Sequence, residues 1–194
     1  NIKQHLRFEP SEFWTTMSKY QDMTRPHWDA DLIVWPEAAV PEIEALADSY
    51  LAGLDSAASF NETALITGIV DYQIDTKTIF NTLIVLGNKE RGDEHGHYEY
   101  LGKNRYQKHQ LLPIGEFVPF QDILRPIAPL FDLPMSSFTR GDRIQNNLRA
   151  NGFNLLPAIC FEIVFADIVR GNYKTNSDIL FTVSNDAWFG QSIG

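Results

Sequence analysis

The amino-acid sequence predicts an α/β domain with at least partly parallel strand pairing. Three observations lead to this class: strand-like and helix-like segments alternate along the chain, the strand-like runs are short and apolar, and the helix-like segments are amphipathic. The composition, 44% hydrophobic and 21% charged over 194 residues, is that of a globular protein rather than a disordered or fibrous one.

In the first half of the chain, the spacing of apolar residues predicts two helices and three strands. The helices cover residues 11–23, with Ser11 as the N-cap, and 41–54, with Pro41 in the first turn. The strands cover residues 31–35, 63–72 and 78–87, and the last two are close enough to form a hairpin or two adjacent strands.

The second half of the chain alternates between loops and regular elements. The predicted elements in chain order are a charged loop over 88–97, a β-like segment over 98–112, a long loop over 113–147 with short helical turns near 121–124, a strand over 153–161, a helix over 162–169 and a strand over 178–184. Five prolines break the long loop, and a loop of this length in a compact domain is typical of a lid or a binding loop.

The charge balance and the cysteine count exclude several classes of protein. With 16 basic and 25 acidic residues the net charge is −9, so no cationic face for nucleic acid is expected. The single cysteine excludes a disulfide within the chain, and no run reaches the roughly 18 apolar residues that span a bilayer. The chain begins at Asn1 and stops at Gly194 just after a predicted strand, which predicts an internal piece of a longer protein; a mature domain with trimmed ends is the alternative.

Two candidate charged groups follow strand-like runs. Glu37 comes directly after such a run, where a carboxylate emerges at the rim of a sheet, although it also suits a helix N-terminus. Lys108 lies in a strand-like run, and a well-placed lysine can stabilise an oxyanion by about 3 kcal/mol. Glu116 can pair with Lys108 or act as a second acid or base, while a solvated lysine at a strand edge is the alternative.

The third candidate is Cys160, which follows an apolar strand and precedes a predicted helix. This placement displays nucleophiles, because a helix N-terminus offers backbone N–H groups to an oxyanion. A lone cysteine in a strand is more often a buried structural residue. His109 is a possible base, but a lone histidine is more often a satisfied surface or core residue.

Three local patterns occur together along the chain: Trp35-Pro36-Glu37, the segment 106–119, and Ile159-Cys160-Phe161-Glu162. In this order they resemble the nitrilase superfamily, whose triad is Glu, Lys and Cys. Longer segments resemble the apolipoprotein N-acyltransferase family within that superfamily, and they include WPEAAVP (35–41), LITGIVD (65–71), GEFVP (115–119) and SNDAWFGQSIG (184–194). The resemblance extends over essentially the whole chain.

This resemblance implies a nitrilase-type α-β-β-α sandwich, incomplete at both ends in this chain, that faces the periplasm behind an inner-membrane domain absent here. It implies acyl transfer from a phospholipid, through a thioester on the cysteine, to the amine of the N-terminal diacylglyceryl cysteine of an apolipoprotein. Residues 137–147 would lie in a mobile lid. The implied site consists of Glu37 as general base, Lys108 as oxyanion stabiliser, Cys160 as nucleophile, and Glu116, Phe161 and Glu162 as supporting residues.

The chain departs from the family pattern at two positions. Family members carry Trp where this chain has Phe8, and Tyr where it has Phe161. Phe161 loses a hydroxyl, but its backbone N–H, the expected oxyanion donor, is unaffected. No cofactor is implied, and no metal is expected because the five histidines show no ligand spacing with the lone cysteine.

Two other functions use the same residues. A soluble nitrilase-type amidase or carbamoylase would apply the same triad to a small amide, and a non-catalytic module would retain the triad positions only for binding. The isolated 194 residues are predicted to be inactive, because a preceding strand and a following helix are expected to be missing.

Overall fold

The computed structural model describes residues 13–89, 93, 95–113, 116 and 138–185. The helices are α1 (Phe13–Thr24), α2 (Glu44–Phe60) and α3 (Ala166–Asn172), with 3-10 turns at Arg25–His27 and Cys160–Val164. The strands are β1 (Leu32–Val34), β2 (Ala64–Gln73), β3 (Thr78–Leu86), β4 (Arg105–Gln107), β5 (Leu148–Ala150), β6 (Phe153–Ile159) and β7 (Ile179–Val183). Of the helices described, none combines the length and apolarity needed to cross a bilayer.

The described strands form two sheets. The first has the order β1-β2-β3-β4, in which β1 and β2 are parallel and the other neighbours are antiparallel. The second has the order β5-β6-β7, in which β6 and β7 are parallel. The β2–β3 hairpin predicted from the sequence is confirmed, with Gln73 opposite Thr78 at its turn.

The core consists of two apolar clusters on the two faces of the first sheet. One cluster lies between the sheets and contains Ala64, Ile66, Leu83, Val85, Tyr106, Leu148, Ala150, Leu155, Ile159 and Val183. The other joins the first sheet to α1 and α2 and contains Met17, Trp35, Leu51, Leu54, Leu65, Ile69, Ile84 and Leu86 among others. Alternate residues of β2 and β3 enter opposite clusters, as the two-residue period of a strand requires. The predicted α/β class and two-sheet sandwich are confirmed.

The strand directions bring several carboxyl ends to one end of the sandwich. β1 runs parallel to β2, and β4 runs antiparallel to β3, so β1 and β4 both run toward the turn that joins β2 to β3, and they end opposite Ile66 and Thr82, respectively. In the second sheet β6 and β7 are parallel and therefore end together. Residues that follow these four strands in the sequence are consequently neighbours in space.

Three predicted elements have different bounds in the structure. The helix α2 begins at Glu44 rather than at Pro41, because Ile43 stays extended and forms a parallel bridge with Val70, and it ends at Phe60, six residues beyond the predicted end at Leu54. The β-like segment over 98–112 contributes only the three residues of β4. The helix predicted over 162–169 is divided into a 3-10 turn and α3. The predicted N-cap Ser11, residue Phe8 and the helical turns near 121–124 lie outside the described residues.

Candidate active site

Glu37 is placed by a tight loop that follows β1. The loop crosses β2 at Gly68, where an added Cβ would lie 2.2 Å from the backbone N of Ala38. The Val40 N–H donates to the Gly68 carbonyl at 3.1 Å, and Ala38 has φ of 44°. Glycine is therefore required for the close approach that fixes the Glu37 carboxylate at the end of the sheet.

Lys108 directly follows β4 and is two residues beyond Tyr106, which lies in the cluster between the sheets. The Lys108 N–H donates to the Asn81 carbonyl at 2.8 Å, and the Lys108 carbonyl accepts from the Gly141 N–H at 2.9 Å. An added Cβ on Gly141 would lie 2.3 Å from the Gln107 carbonyl, so this strap also depends on glycine. Backbone bonds on both sides thus fix the lysine.

Lys108, Glu37 and Glu116 form a buried ion cluster. The lysine Nζ donates to Glu37 Oε1 at 3.1 Å and to Glu116 Oε1 at 2.9 Å. The three residues are only 2%, 7% and 8% exposed, respectively, so solvent screens the cluster weakly. Burial by itself lowers the pKa of Lys108, but the charges of Glu37 and Glu116 outweigh it and raise that pKa. The lysine is therefore an ammonium at neutral pH.

Cys160 begins the 3-10 turn that follows β6, and it is half-buried. Its φ is 57°, in the left-handed region that costs a non-glycine residue about 1 kcal/mol or more. The Ser184 hydroxyl donates to the thiol sulfur at 3.6 Å, and the Thr182 hydroxyl donates to the Cys160 carbonyl at 3.3 Å. The end of β7 thereby holds a strained cysteine in place.

The same strand end connects the thiol to the ion cluster. Asn185, the neighbour of Ser184, donates its backbone N–H to Glu37 Oε2 at 3.1 Å. Lys108 Nζ lies 5.9 Å from the ring centroid of Phe161, the residue after Cys160. The predicted acid, amine and thiol therefore occupy the same end of the sandwich.

Glu162 ties the cysteine turn to the lysine loop. Its Oε1 accepts the N–H groups of His109 and Gln110 at 2.7 and 2.8 Å, and its Oε2 accepts the N–H of Ile159 at 2.8 Å and the hydroxyl of Tyr106 at 3.3 Å. Burial raises the pKa of Glu162, while the backbone bonds oppose that rise. Glu162 is fully buried, and its carboxylate joins the cysteine turn to the lysine loop.

Two other sequence predictions also concern this end of the molecule. His109 Nδ1 bonds to the Gly141 carbonyl at 2.8 Å, so this ring nitrogen is engaged by the strap. The lid predicted over 137–147 is bonded to the sheet at Thr139, whose N–H donates to Ile79, as well as at Gly141. These bonds join the segment to the first sheet as a strap, and its mobility stays a prediction.

Sequence reasoning missed the role of Asn81. Its side-chain amide donates to Glu37 Oε1 at 2.8 Å and to Glu116 Oε1 at 2.9 Å. The contacts of Ser184 and Asn185 were also not predicted, since the segment 184–194 indicated only the family resemblance. The available signal for Asn81 was a polar residue inside the otherwise apolar run of β3, since buried polar groups normally have a specific partner. Within the described ranges, no group of three or more His, Cys, Asp or Glu residues is arranged to hold a metal ion.

Comparison with known proteins adds sequence relatives. The pattern of the carbon-nitrogen hydrolase family matches residues 3–194. Proteins named apolipoprotein N-acyltransferase from Photobacterium profundum, Vibrio cholerae and Haemophilus influenzae are 53%, 52% and 40% identical to this chain over its full length. The chain spans 37%, 37% and 36% of the length of these three curated relatives.

Solved structures similar to this fold have much lower sequence identity. The NitFhit protein of C. elegans superposes with a TM-score of 0.63 at 14% identity, covering 89% of this chain and 40% of that one. A carbon-nitrogen hydrolase of Helicobacter pylori gives 0.57 at 14% identity, with 90% and 54% covered. An amidase of the nitrilase superfamily from Nesterenkonia gives 0.56 at 17% identity, with 95% and 65% covered. At these identities the likeness shows the shared fold alone.

Proposed function

Because this chain belongs to the carbon-nitrogen hydrolase family, we propose that it is the catalytic part of an apolipoprotein N-acyltransferase. The observation that supports this most strongly is the buried Glu37–Lys108–Glu116 cluster, which shares one end of the sandwich with the half-buried Cys160 thiol. The named relatives, up to 53% identical over the whole chain, favour acyl transfer over hydrolysis of a small amide.

In the first half-reaction, Glu37 accepts the proton of the Cys160 thiol as the sulfur attacks an ester carbonyl of a phospholipid. The Lys108 ammonium is held between Glu37 and Glu116. Its N–H donors, with the backbone N–H of Phe161, stabilise the oxyanion. The ester C–O bond then breaks, the lysophospholipid oxygen takes the proton from Glu37, and a thioester remains on Cys160.

In the second half-reaction, the α-amine of the diacylglyceryl cysteine of an apolipoprotein attacks the thioester. Glu37 accepts a proton from the attacking nitrogen, and the oxyanion is stabilised by the same donors. The C–S bond breaks, the amide leaves, and the proton returns from Glu37 to the Cys160 sulfur. Glu116 holds the ammonium beside Glu37, and Glu162 keeps the cysteine turn and the lysine loop in register.

Both proposed substrates carry lipid chains, so we place the enzyme at a membrane. We propose that a membrane domain precedes this chain in the full-length protein, and that the domain faces the periplasm from the bacterial inner membrane. Experiments on activity therefore use the full-length protein. The isolated 194 residues remain predicted to be inactive.

The direct test is detection of the acyl-enzyme. Full-length protein in detergent micelles is incubated with phosphatidylethanolamine that carries a labelled acyl chain at sn-1, and the Cys160 peptide is analysed by mass spectrometry. We expect one acyl group on Cys160. Neutral hydroxylamine should release it, because the bond is a thioester. The variant Cys160→Ser is expected to give no turnover, with a free energy of unfolding within about 1–2 kcal/mol of the wild type.

Two outcomes would contradict the proposal. One is a folded wild-type protein that takes no acyl group from a phospholipid whose sn-1 ester is accessible to the enzyme. The other is Cys160→Ser protein that still transfers acyl chains at a substantial rate. Release of ammonia from small amides without acylation by phospholipid would favour the amidase instead.

A further inference from the structure

Asn81 is the only described side chain that donates to both carboxylates of the ion cluster besides Lys108 itself. It lies on β3 and is 6% exposed. Its backbone carbonyl also accepts the Lys108 N–H at 2.8 Å. One residue therefore contacts both carboxylates of the cluster and the backbone of the lysine.

The charge count of the cluster explains why such a contact matters. Two carboxylates face one ammonium in a buried site, and two carboxylates that share such a site tend to retain a proton between them. Hydrogen bonds from neutral N–H donors favour the ionised form of both acids without adding another charge. Asn81 supplies one such donor to each acid.

The cost of this arrangement is visible in the same side chain. Asn81 Oδ1 is buried and has no hydrogen-bond partner among the described residues. An unpaired buried acceptor is unfavourable, and flipping the amide would instead point this oxygen at two carboxylates. The orientation of the amide is therefore set by Glu37 and Glu116.

We propose that Asn81 is a positioning residue that orients the Glu37 carboxylate and keeps it available to accept the Cys160 proton. This inference rests on the proposed function. The charged groups described around Glu37 are Lys108 and Glu116, with Glu162 acting on Lys108 from the adjoining loop, and the Asn185 N–H also donates to Glu37 Oε2.

The experiment measures how fast Cys160 is alkylated by iodoacetamide from pH 5 to pH 9. Full-length wild type, Asn81→Ala and Asn81→Asp are compared, and Cys160 is followed by peptide mass spectrometry. We expect the acidic limb of the rate profile to move up by about one pH unit in both variants, because each loses charge-assisted hydrogen bonds. The rate near pH 9 should recover to within about tenfold of the wild type.

Asn172→Asp is the matched control, since Asn172 is 3% exposed and bonds to Arg143, Gln145 and Ile168 away from the cluster. It should lower the Tm and leave the pH profile unchanged. A folded Asn81 variant whose rate falls equally at every pH, or whose profile matches the wild type, would overturn the inference. Alkylation needs no phospholipid, so failure of the acyl-enzyme test would count against the proposed function separately.

Discussion

Two cations lie at the strand β4, the largely buried Arg105 within it and the buried Lys108 just past its end, and the two sites differ in what surrounds the cation. On the helix side, Arg105 bonds to Glu44 at 2.8 and 3.0 Å and to Asp71 at 3.3 Å. On the side between the sheets, just past the end of β4, Lys108 bonds to Glu37 and Glu116. Each site thus places one positive and two negative groups in a largely buried position.

The arginine site is closed by its own geometry. The planar guanidinium engages both oxygens of Glu44, and its Nε donates to the Gly102 carbonyl at 2.6 Å. The Lys108 ammonium contacts one oxygen of Glu37 and both oxygens of Glu116, and it shares its end of the sandwich with the half-buried Cys160 thiol. The two ion clusters have the same net charge, but we infer that the Arg105 cluster stabilises the fold and that the Lys108 cluster takes part in catalysis.

Replacing each cation by methionine should separate the two roles most strongly. Lys108→Met should lower the rate of Cys160 acylation by about 10²–10³-fold, because an oxyanion donor is lost. Arg105→Met should lower the free energy of unfolding by about 3–5 kcal/mol, because two buried carboxylates lose their partner, yet keep acylation within about threefold for each folded molecule. Single-turnover acylation and urea unfolding of full-length protein measure the two effects.

The outcome that breaks this comparison is an Arg105→Met protein that is folded at the assay temperature and as inactive as Lys108→Met. The arginine site would then belong to the catalytic machinery. Equal and near wild-type acylation in both variants would instead remove Lys108 from oxyanion stabilisation.

Two glycine substitutions separate a position that supports the site from one that affects only stability. Gly68→Ala puts a Cβ 2.2 Å from Ala38 N, so the loop that holds Glu37 must shift, and we expect acylation to fall by about 10²-fold. Gly53 lies in α2, and a Cβ added there would have no atom within 4 Å. Gly53→Ala should therefore raise the free energy of unfolding by about 0.5–1 kcal/mol and leave the acylation rate unchanged. Thermal unfolding and single-turnover rates test both variants; wild-type acylation by Gly68→Ala would refute the loop argument.

Ser184 provides a smaller test at the thiol itself. Ser184→Ala removes the hydroxyl that lies 3.6 Å from the Cys160 sulfur, and acylation should slow by about five- to tenfold because a weak hydrogen bond is lost. Ser56→Ala is the control, since its hydroxyl only donates to the Ala52 carbonyl on the exposed face of α2. Equal rates for the two variants would show that the hydroxyl does not assist the thiol.

The smallest effect concerns stability at high pH. Glu37 and Glu116 outweigh burial and hold the pKa of Lys108 above its usual 10.5, so its ion pairs stabilise the fold fully below that value. This contribution is lost as the pH rises through the higher folded-state pKa. Between pH 10 and 12, the wild type should therefore lose more unfolding free energy than Lys108→Met. Parallel urea-unfolding curves across that range would contradict the ion-pair assignment.

The sequence predicted the two long strands β2 and β3 well because local patterns determine them, whereas the short strand β5 was not predicted. The apolar runs over 63–72 and 78–87 are long and separated by a short polar segment, and the hairpin that they predict is present. The start of α2 was wrong by three residues, since the Ile43–Val70 bridge is a tertiary contact that no local pattern records. The contacts of Asn81 with residues 44 and 35 positions away in the chain were likewise beyond local reasoning.

The fate of the acyl chain on Cys160 tests the central claim most directly. Acyl-enzyme made from full-length protein is separated from phospholipid and mixed with a synthetic peptide that begins with diacylglyceryl cysteine, and the amide and free fatty acid are quantified over time. We expect rapid transfer to the peptide amine, with hydrolysis at least about 10²-fold slower. Release of the chain mainly to water, unaffected by the peptide, would contradict acyl transfer and leave a hydrolase.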